Sequence, residues 1–398
     1  MKFDWKKTFV LGFGFLGISV IWPLFNSLIP PFLEDLGLSA FVVGFILTWD
    51  NLINMFVQPW VGARSDRTRS RWGRRKPWLM AGAPLAAVFF ILVPFVRTNF
   101  ALIALAILGT NIGMALFRSP TVAYLGDLYP AEQRSKANGV INLMGGVGGA
   151  IALFGGGALF KMGVPLPFIV GALLLLIAIG VVLAFVHEPA APETTMAEAA
   201  PGVWDSLREV SRGDNPNGMY ILLAIFCWFI AWNAVEAFFT LYVRNVLGIA
   251  VGSGTQMLTA FAAMLILFAI PSGLIATRIG RKPTIMIGLI GMTVGLILAL
   301  VLTNTLLLLV LLALMGGFWA LVNINSLPMV YDVGGNHSIG ALTGLYYFAS
   351  SLAAITGPIV AGGLIDLTSH RVIWPFAASF MLLALVMMSR VKVSAPAR

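Results

Sequence analysis

Three ionisable side chains stand where an apolar chain should have none. Asp50, Arg118 and Glu236 each fall inside a run of about twenty apolar residues. A charge at the centre of such a run costs about 2.5–3.5 kcal/mol on membrane-insertion scales, so its default reading is functional. Asp50 and Arg118 lie about a dozen and about eight residues from the same-side ends of their runs, a depth difference of roughly 6 Å at about 1.5 Å per residue. A long Arg side chain covers that distance, and an Asp50–Arg118 pair is expected, as a structural ion pair or as part of a working site. Glu236 differs, because the C-terminal half offers no cation at its depth; Arg244 stands further along toward the opposite end. A carboxyl among apolar groups can carry a proton at neutral pH. Trp232, four residues earlier, shares its helix face. Glu236 is therefore the candidate proton carrier, with Asp50 its rival; the plainer alternative is a protonated Glu bonded to a neighbouring helix.

The apolar runs also hold amides and aromatic rings suited to a hydroxylated solute. They are Trp22, Asn26, Asn54, Gln58, Asn111, Asn142, Trp232, Asn233, Asn323, Asn325, Tyr346 and Tyr347. Amides bond hydroxyls and rings cover C–H faces. Singly, each Asn reads equally well as an interhelical hydrogen bond; as a set they read as a polar cavity, with Arg118 able to bind a hydroxylated or an anionic solute. No metal or organic cofactor is expected. Cys227 is the only cysteine, and His187, His337 and His370 sit near run ends without clustering.

The elements that carry these residues are membrane helices. The 398 residues are 59% hydrophobic with mean hydropathy +0.93, far above a soluble domain. Apolar runs predict twelve spans near 8–33, 39–63, 77–96, 100–126, 138–160, 165–186, 218–243, 254–277, 283–303, 305–331, 338–366 and 371–390. The N-terminal stretch has basic residues before an apolar run, as a signal peptide does. It is too long and lacks a small-residue cleavage site, and so reads as a retained first span. The expected organisation is an N-terminal six-helix bundle (1–186), a polar linker with a short interfacial helix (187–217) and a C-terminal six-helix bundle (218–398). The net charge of +9 does not indicate nucleic acid, since too few polar residues remain to build a basic solvated face.

Charge also orients the spans. Of the 25 Lys and Arg, only Arg97, Lys161, Arg244 and Arg371 fall in the loops on one side, and Arg118 falls within a span. The other side holds the rest and is expected to be cytosolic, both termini included. Seven cations crowd residues 64–76 between the second and third spans, with Asp66 the only acid among them. Most of these serve topology and headgroup contact. Asp66 and Arg67 are also candidates for a cytosolic gate, in which an ion pair meets a helix N-terminus and breaks as the halves part.

The halves repeat. Gly73-Arg74-Arg75-Lys76-Pro77 returns as Gly280-Arg281-Lys282-Pro283, 206 positions on from Lys76; Asp127 and Asp332, Gly139 and Gly344, and Arg118 and Asn323 are each 205 apart. Duplicated halves with sparse internal charge suit a carrier that rocks two bundles around a midplane site. A channel or membrane enzyme needs no such plan, and no His/Asp or Ser/His cluster supports catalysis.

Gly62-x3-Asp66-Arg67 followed by Gly73-Arg74-Arg75-Lys76 resembles the loop signature of the major facilitator superfamily. The longer string WDNLINMFVQPWVGARSDRTRSRWGRRKP is similar to the glycoside–pentoside–hexuronide:cation symporters, and in particular to sucrose-type proton symporters. Pro120-x-x-Ala123-Tyr124-Leu125-x-Asp127 and GALTGLYYFASSLAAITGP (340–358) carry the same resemblance. It implies an all-α major facilitator fold of two pseudo-symmetric six-helix bundles and a monomeric carrier in the plasma or bacterial inner membrane. It implies symport of a neutral sugar, a disaccharide such as sucrose or maltose. The gate set it suggests is Gly62, Asp66, Arg67, Arg74, Arg75, Asp127, Arg134 and Arg281. Melibiose-type sodium symporters have acids where this chain has Asn54 and Arg118, which argues for protons as the coupling ion. The alternatives are a sodium-coupled glycoside symporter and an exporter of another small amphiphile.

Overall fold

A computed structural model describes residues 4–188, 217–333 and 339–392. The expected interfacial helix of the linker and His337 lie outside these. Every described segment of regular structure is helical, and twelve helical stretches are long and apolar enough to cross a membrane. Within a bilayer no water is available to backbone N–H and C=O groups, so a chain this apolar must satisfy them inside helices.

In chain order the helices are α1 Trp5–Asp35, α2 Ala40–Leu47, α3 Trp49–Arg67, α4 Lys76–Leu92, α5 Phe100–Leu128, α6 Ala131–Met162 and α7 Leu166–Phe185. Then come α8 Asn217–Leu247, α9 Val251–Ile279, α10 Arg281–Val301, α11 Thr305–Val333, α12 Ile339–Leu367 and α13 Ile373–Arg390. Helix α1 starts before its expected bound because the Asp4 carboxylate accepts from the Lys7 N–H at 2.9 Å, an N-cap. The second expected span is interrupted for one residue at Thr48, between α2 and α3. The prolines at 30, 31, 120, 328 and 358 lie within helices that run on through them.

The chain forms two compact units. One comprises Met1–Ser39, Ile46–Thr195 and Gly248–Thr259; the other comprises Ala40–Phe45, Met196–Leu247 and Ala260–Arg398. In the first, α1 packs on α6 and α7, and α4 packs on α5 and α7. In the second, α8 packs on α12 and α13, and α10 packs on α11 and α13. These are the same pairings displaced by one repeat. Small residues set the close approaches, as membrane packing favours: a Cβ at Gly113 would sit 2.4 Å from the Ala86 backbone nitrogen, and one at Gly288 2.7 Å from the Phe318 carbonyl. The Gly145-x3-Gly149 stretch lies against Ser19 of α1.

Candidate functional site

The crowded basic loop resolves into a compact ionic cluster at the ends of α3, α4 and α5. Arg75 is 4% exposed. Its guanidinium pairs with Asp66, reaches Asp127 Oδ2 at 3.1 Å and donates to Ser65 Oγ. Arg74 Nη2 binds Asp127 Oδ1 at 2.6 Å. A guanidinium buried this deeply is tolerable only when several oxygens share its fork of donors.

Glu188, just past α7, closes the cluster, and the motif alone gave no sign of it. Its carboxylate accepts the backbone N–H groups of Arg74 at 2.6 Å, Arg75 at 3.1 Å and Lys76 at 2.9 Å, and the Tyr124 hydroxyl at 2.7 Å. These N–H groups open α4 and have no intrahelical acceptor, so an anion belongs there. Gly73 is required twice over: its φ is +106°, and a Cβ would lie 2.5 Å from the Glu188 carboxyl. Lys76 Nζ ties the same corner to the Leu183 carbonyl near the end of α7 at 2.8 Å.

The second unit repeats part of this. Gly280 has φ +93°, Arg281 pairs with Asp332, and Lys282 Nζ donates to the Ser389 and Val391 carbonyls at 2.9 and 2.7 Å. The Arg281–Asp332 pair is far more exposed, at 42% and 35% of the two side chains. Of the other expected gate residues, Gly62 approaches Ser119 on α5, and Arg67 is an exposed residue at the end of α3. Arg134 does not join the cluster; it donates to the Tyr129 and Gly126 carbonyls at 3.0 and 3.1 Å and so caps the end of α5.

Deeper in the first unit, α3 carries Asp50, Asn54 and Gln58, and α5, packed against it, carries Asn111 and Arg118. Asp50 accepts from Asn51 Nδ2 at 2.8 Å. Asp50, Arg118 and Glu236 are all engaged in interactions, as is Asn26. Asn111 is 1% exposed, yet among the described residues neither of its amide atoms has a hydrogen-bond partner, and the same holds for buried Trp22 Nε1 and Gln58 Nε2. Asn142 donates to Asn138 Oδ1 and to the Asn138 carbonyl, both at 2.9 Å.

In the second unit an aromatic stack runs through the packed helices. Trp232 lies face-on to Phe261 at 4.5 Å between ring centroids and to Trp319 at 5.3 Å. Phe229 meets Trp319 and Tyr346 edge-on, and Tyr347 meets Tyr346. Tyr347 is 58% exposed, whereas Tyr346 is buried with its hydroxyl 3.0 Å from Ser326 Oγ. Asn233 donates to the Phe229 carbonyl of its own helix at 2.7 Å. Asn325 spans helices, donating to Ser272 Oγ and to the Leu321 carbonyl, both at 2.9 Å. The amide groups of Asn233 and Asn325 are thus used in packing, while Asn323 is half-buried on the same helix as Asn325. Among the described residues no group of three or more His, Cys, Asp or Glu could hold a metal ion.

Comparison with known proteins places this architecture. The family described as MFS/sugar transport protein matches residues 10–371. Sucrose transport protein SUT1 of Oryza sativa subsp. japonica is 37% identical over 79 residues, 20% of this chain and 15% of that protein. Sucrose transport protein SUC3 of Arabidopsis thaliana is 28% identical over 176 residues, 38% of this chain and 29% of that protein. The matched stretches are thus well under two thirds of these relatives' own lengths. Among solved structures, nucleoside transporter NupG superposes with TM-score 0.76 at 16% identity, over 98% of this chain and 100% of that one. A bacterial homolog of the human lysosomal transporter Spinster gives 0.75 at 14% identity, over 98% of both. These likenesses show a shared fold.

Proposed function

Because the chain belongs to the MFS/sugar transport protein family, a family of membrane transporters and not of enzymes, we propose that it carries a neutral sugar across a membrane. The cargo is a disaccharide of the sucrose or maltose class, taken up with protons by alternating access. The observation that carries this reading is the set of unsatisfied buried polar groups on three helices of the first unit: Trp22 Nε1, Gln58 Nε2 and both amide atoms of Asn111. A buried amide without a partner costs about 1–3 kcal/mol, and a polyhydroxylated ligand supplies donors and acceptors for such groups in a state of the carrier that opens them to it. Arg118 adds a cationic donor on α5 of the same unit.

Coupling is assigned to Glu236, with Asp50 as the second acid. A carboxyl exchanges a hydrogen-bond donor for an acceptor when it loses its proton, so a rearrangement of its neighbours ties its protonation to the state of the carrier. The Asp66–Arg75–Asp127–Arg74 cluster is the proposed cytosolic gate, and Arg281–Asp332 its counterpart in the second unit. The chain acts as a monomer in the plasma or bacterial inner membrane, and the sided distribution of Lys and Arg supports cytosolic termini. The relatives named as sucrose transport proteins favour the same cargo.

The test is uptake of labelled sucrose and maltose into proteoliposomes, with and without an inward proton gradient, for wild type and Glu236→Gln. Gradient-driven uptake in wild type, lost in the variant while sugar exchange persists, is the expected result. Uptake driven by sodium in place of protons would remove the coupling assignment, and no sugar transport under any gradient would remove the sugar reading itself.

A further inference from the structure

The two copies of the Gly-Arg-Lys motif are finished differently. In the first, the N–H groups that open α4 converge on the Glu188 carboxylate, which also takes the Tyr124 hydroxyl. At the repeat offset of 206, Glu188 maps onto Ser394, which carries no carboxylate and lies outside the described residues. Among the described residues no side chain caps the start of α10. Gly280 reflects the difference: a Cβ there would meet nothing nearer than Pro283 at 3.5 Å, whereas one at Gly73 would run into the Glu188 carboxyl.

Among the described residues no carboxylate takes these N–H groups, and the second unit has a pocket of about 930 Å³ at this helix start, lined by Asn217, Tyr220, Arg281, Lys282, Arg390 and Lys392 among others. Asp332 neutralises Arg281, leaving Lys282, Arg390 and Lys392 as cations on the wall. Lys282 spends two of its ammonium donors on the Ser389 and Val391 carbonyls and keeps its charge. Asn217 Oδ1 accepts the Lys392 N–H at 2.7 Å and fixes the last described turn of chain against α8. The pocket therefore combines helix-start N–H groups and a phenol, the group types that hold Glu188 in the first unit, with three cations beyond the neutralised Arg281.

We propose that this pocket is a binding site for a phosphate group, which occupies at α10 the place that Glu188 fills at α4. A phosphate monoester or diester offers non-bridging oxygens to the Arg281 and Lys282 N–H groups while the cations balance its charge. The phosphate can come from a lipid headgroup or from a soluble phosphate, and the two are separable by experiment.

The test uses full-length protein in an uncharged detergent, titrated separately with inorganic phosphate, dihexanoyl phosphatidic acid and dihexanoyl phosphatidylcholine at constant ionic strength. The readout is the shift in thermal unfolding midpoint. The double variant Arg390→Gln/Lys392→Gln is compared with Arg69→Gln/Arg71→Gln, which removes two exposed cations from the other motif's loop. Loss of two partly exposed charges beside a phosphate should weaken apparent affinity by roughly tenfold, and the control double variant should bind as wild type. Site-dependent binding of phosphatidic acid without inorganic phosphate identifies a lipid headgroup; site-dependent binding of inorganic phosphate identifies a soluble ligand. Absence of binding by any probe, or equal weakening in both double variants, overturns the proposal.

Discussion

Replacing Glu188 should loosen one helix end and leave the rest of the bundle intact. Glu188 takes three backbone N–H groups at the start of α4 and the Tyr124 hydroxyl. Loss of an N-cap acceptor costs about 0.5–2 kcal/mol, and loss of the negative charge at the helix start about 0.3–1 kcal/mol more. Glu188→Ala should therefore lower the free energy of local opening at Arg74–Lys76 by about 2 kcal/mol, which at about 1.4 kcal/mol per decade is roughly a 30-fold rise in exchange rate. Glu188→Gln keeps an acceptor but no charge, and should give only a few-fold rise. Hydrogen exchange read by mass spectrometry on a peptide spanning Trp72–Leu79 measures this directly, with the Gly280–Ile285 region as internal reference. The reasoning fails if Glu188→Ala leaves exchange at 74–76 within about twofold of wild type, or if the reference region moves as much.

The two ionic pairs of the repeat should respond unequally. Asp127→Asn strips a partner from Arg75, whose side chain is 5% exposed, and should cost about 2–4 kcal/mol; Asp332→Asn acts on a pair that is 42% and 35% exposed and should cost below about 1 kcal/mol. Thermal unfolding of both variants in one detergent decides this, and equal losses would count against a buried cluster. Asn111→Leu replaces an amide with no partner by an apolar group of similar size, and should hold or raise stability by about 1 kcal/mol while reducing sugar uptake several-fold. A destabilised variant with normal uptake would place Asn111 in packing alone.

The twelve spans were legible because a bilayer imposes a length and an apolar composition on each, and the structure departs from them by a few residues at most bounds. The pairing of halves was legible from Gly73 and Gly280, since a left-handed backbone at the same motif position demands glycine twice. Side-chain destinations were harder. Asn233 and Asn325 looked like the other amides, yet one bonds its own helix and the other a neighbour, because an amide serves packing and ligand equally and only its neighbours decide. Arg134, which the family resemblance suggests for the gate, turns to the end of α5, where open carbonyls compete for it. Thr48 carries no sequence signal for a break in the second span. Glu188 was invisible for a different reason: it lies 112 residues from Lys76, and no local pattern links the two.

That distance bears on how the duplicated halves differ. A shared motif fixes the glycine turn, the Lys bond to the carbonyls at the end of each unit's last helix, and one Arg–Asp pair. Whether the resulting corner is sealed depends on acids that the motif does not contain. In the first unit Asp66 and Glu188 join Asp127, so that a guanidinium can be buried at 4% exposure. In the second unit Asp332 is the carboxylate recorded on Arg281 among the described residues, the pair stays near half exposed, and the helix start faces a cationic pocket. Breaking the first corner means separating Arg75 from Asp127, side chains 5% and 14% exposed, which costs a few kcal/mol; opening the second disturbs a screened pair worth under about 1 kcal/mol. Duplication supplied two equal frames, and two further carboxylates filled one of them from within the chain and left the other able to take its anion from outside.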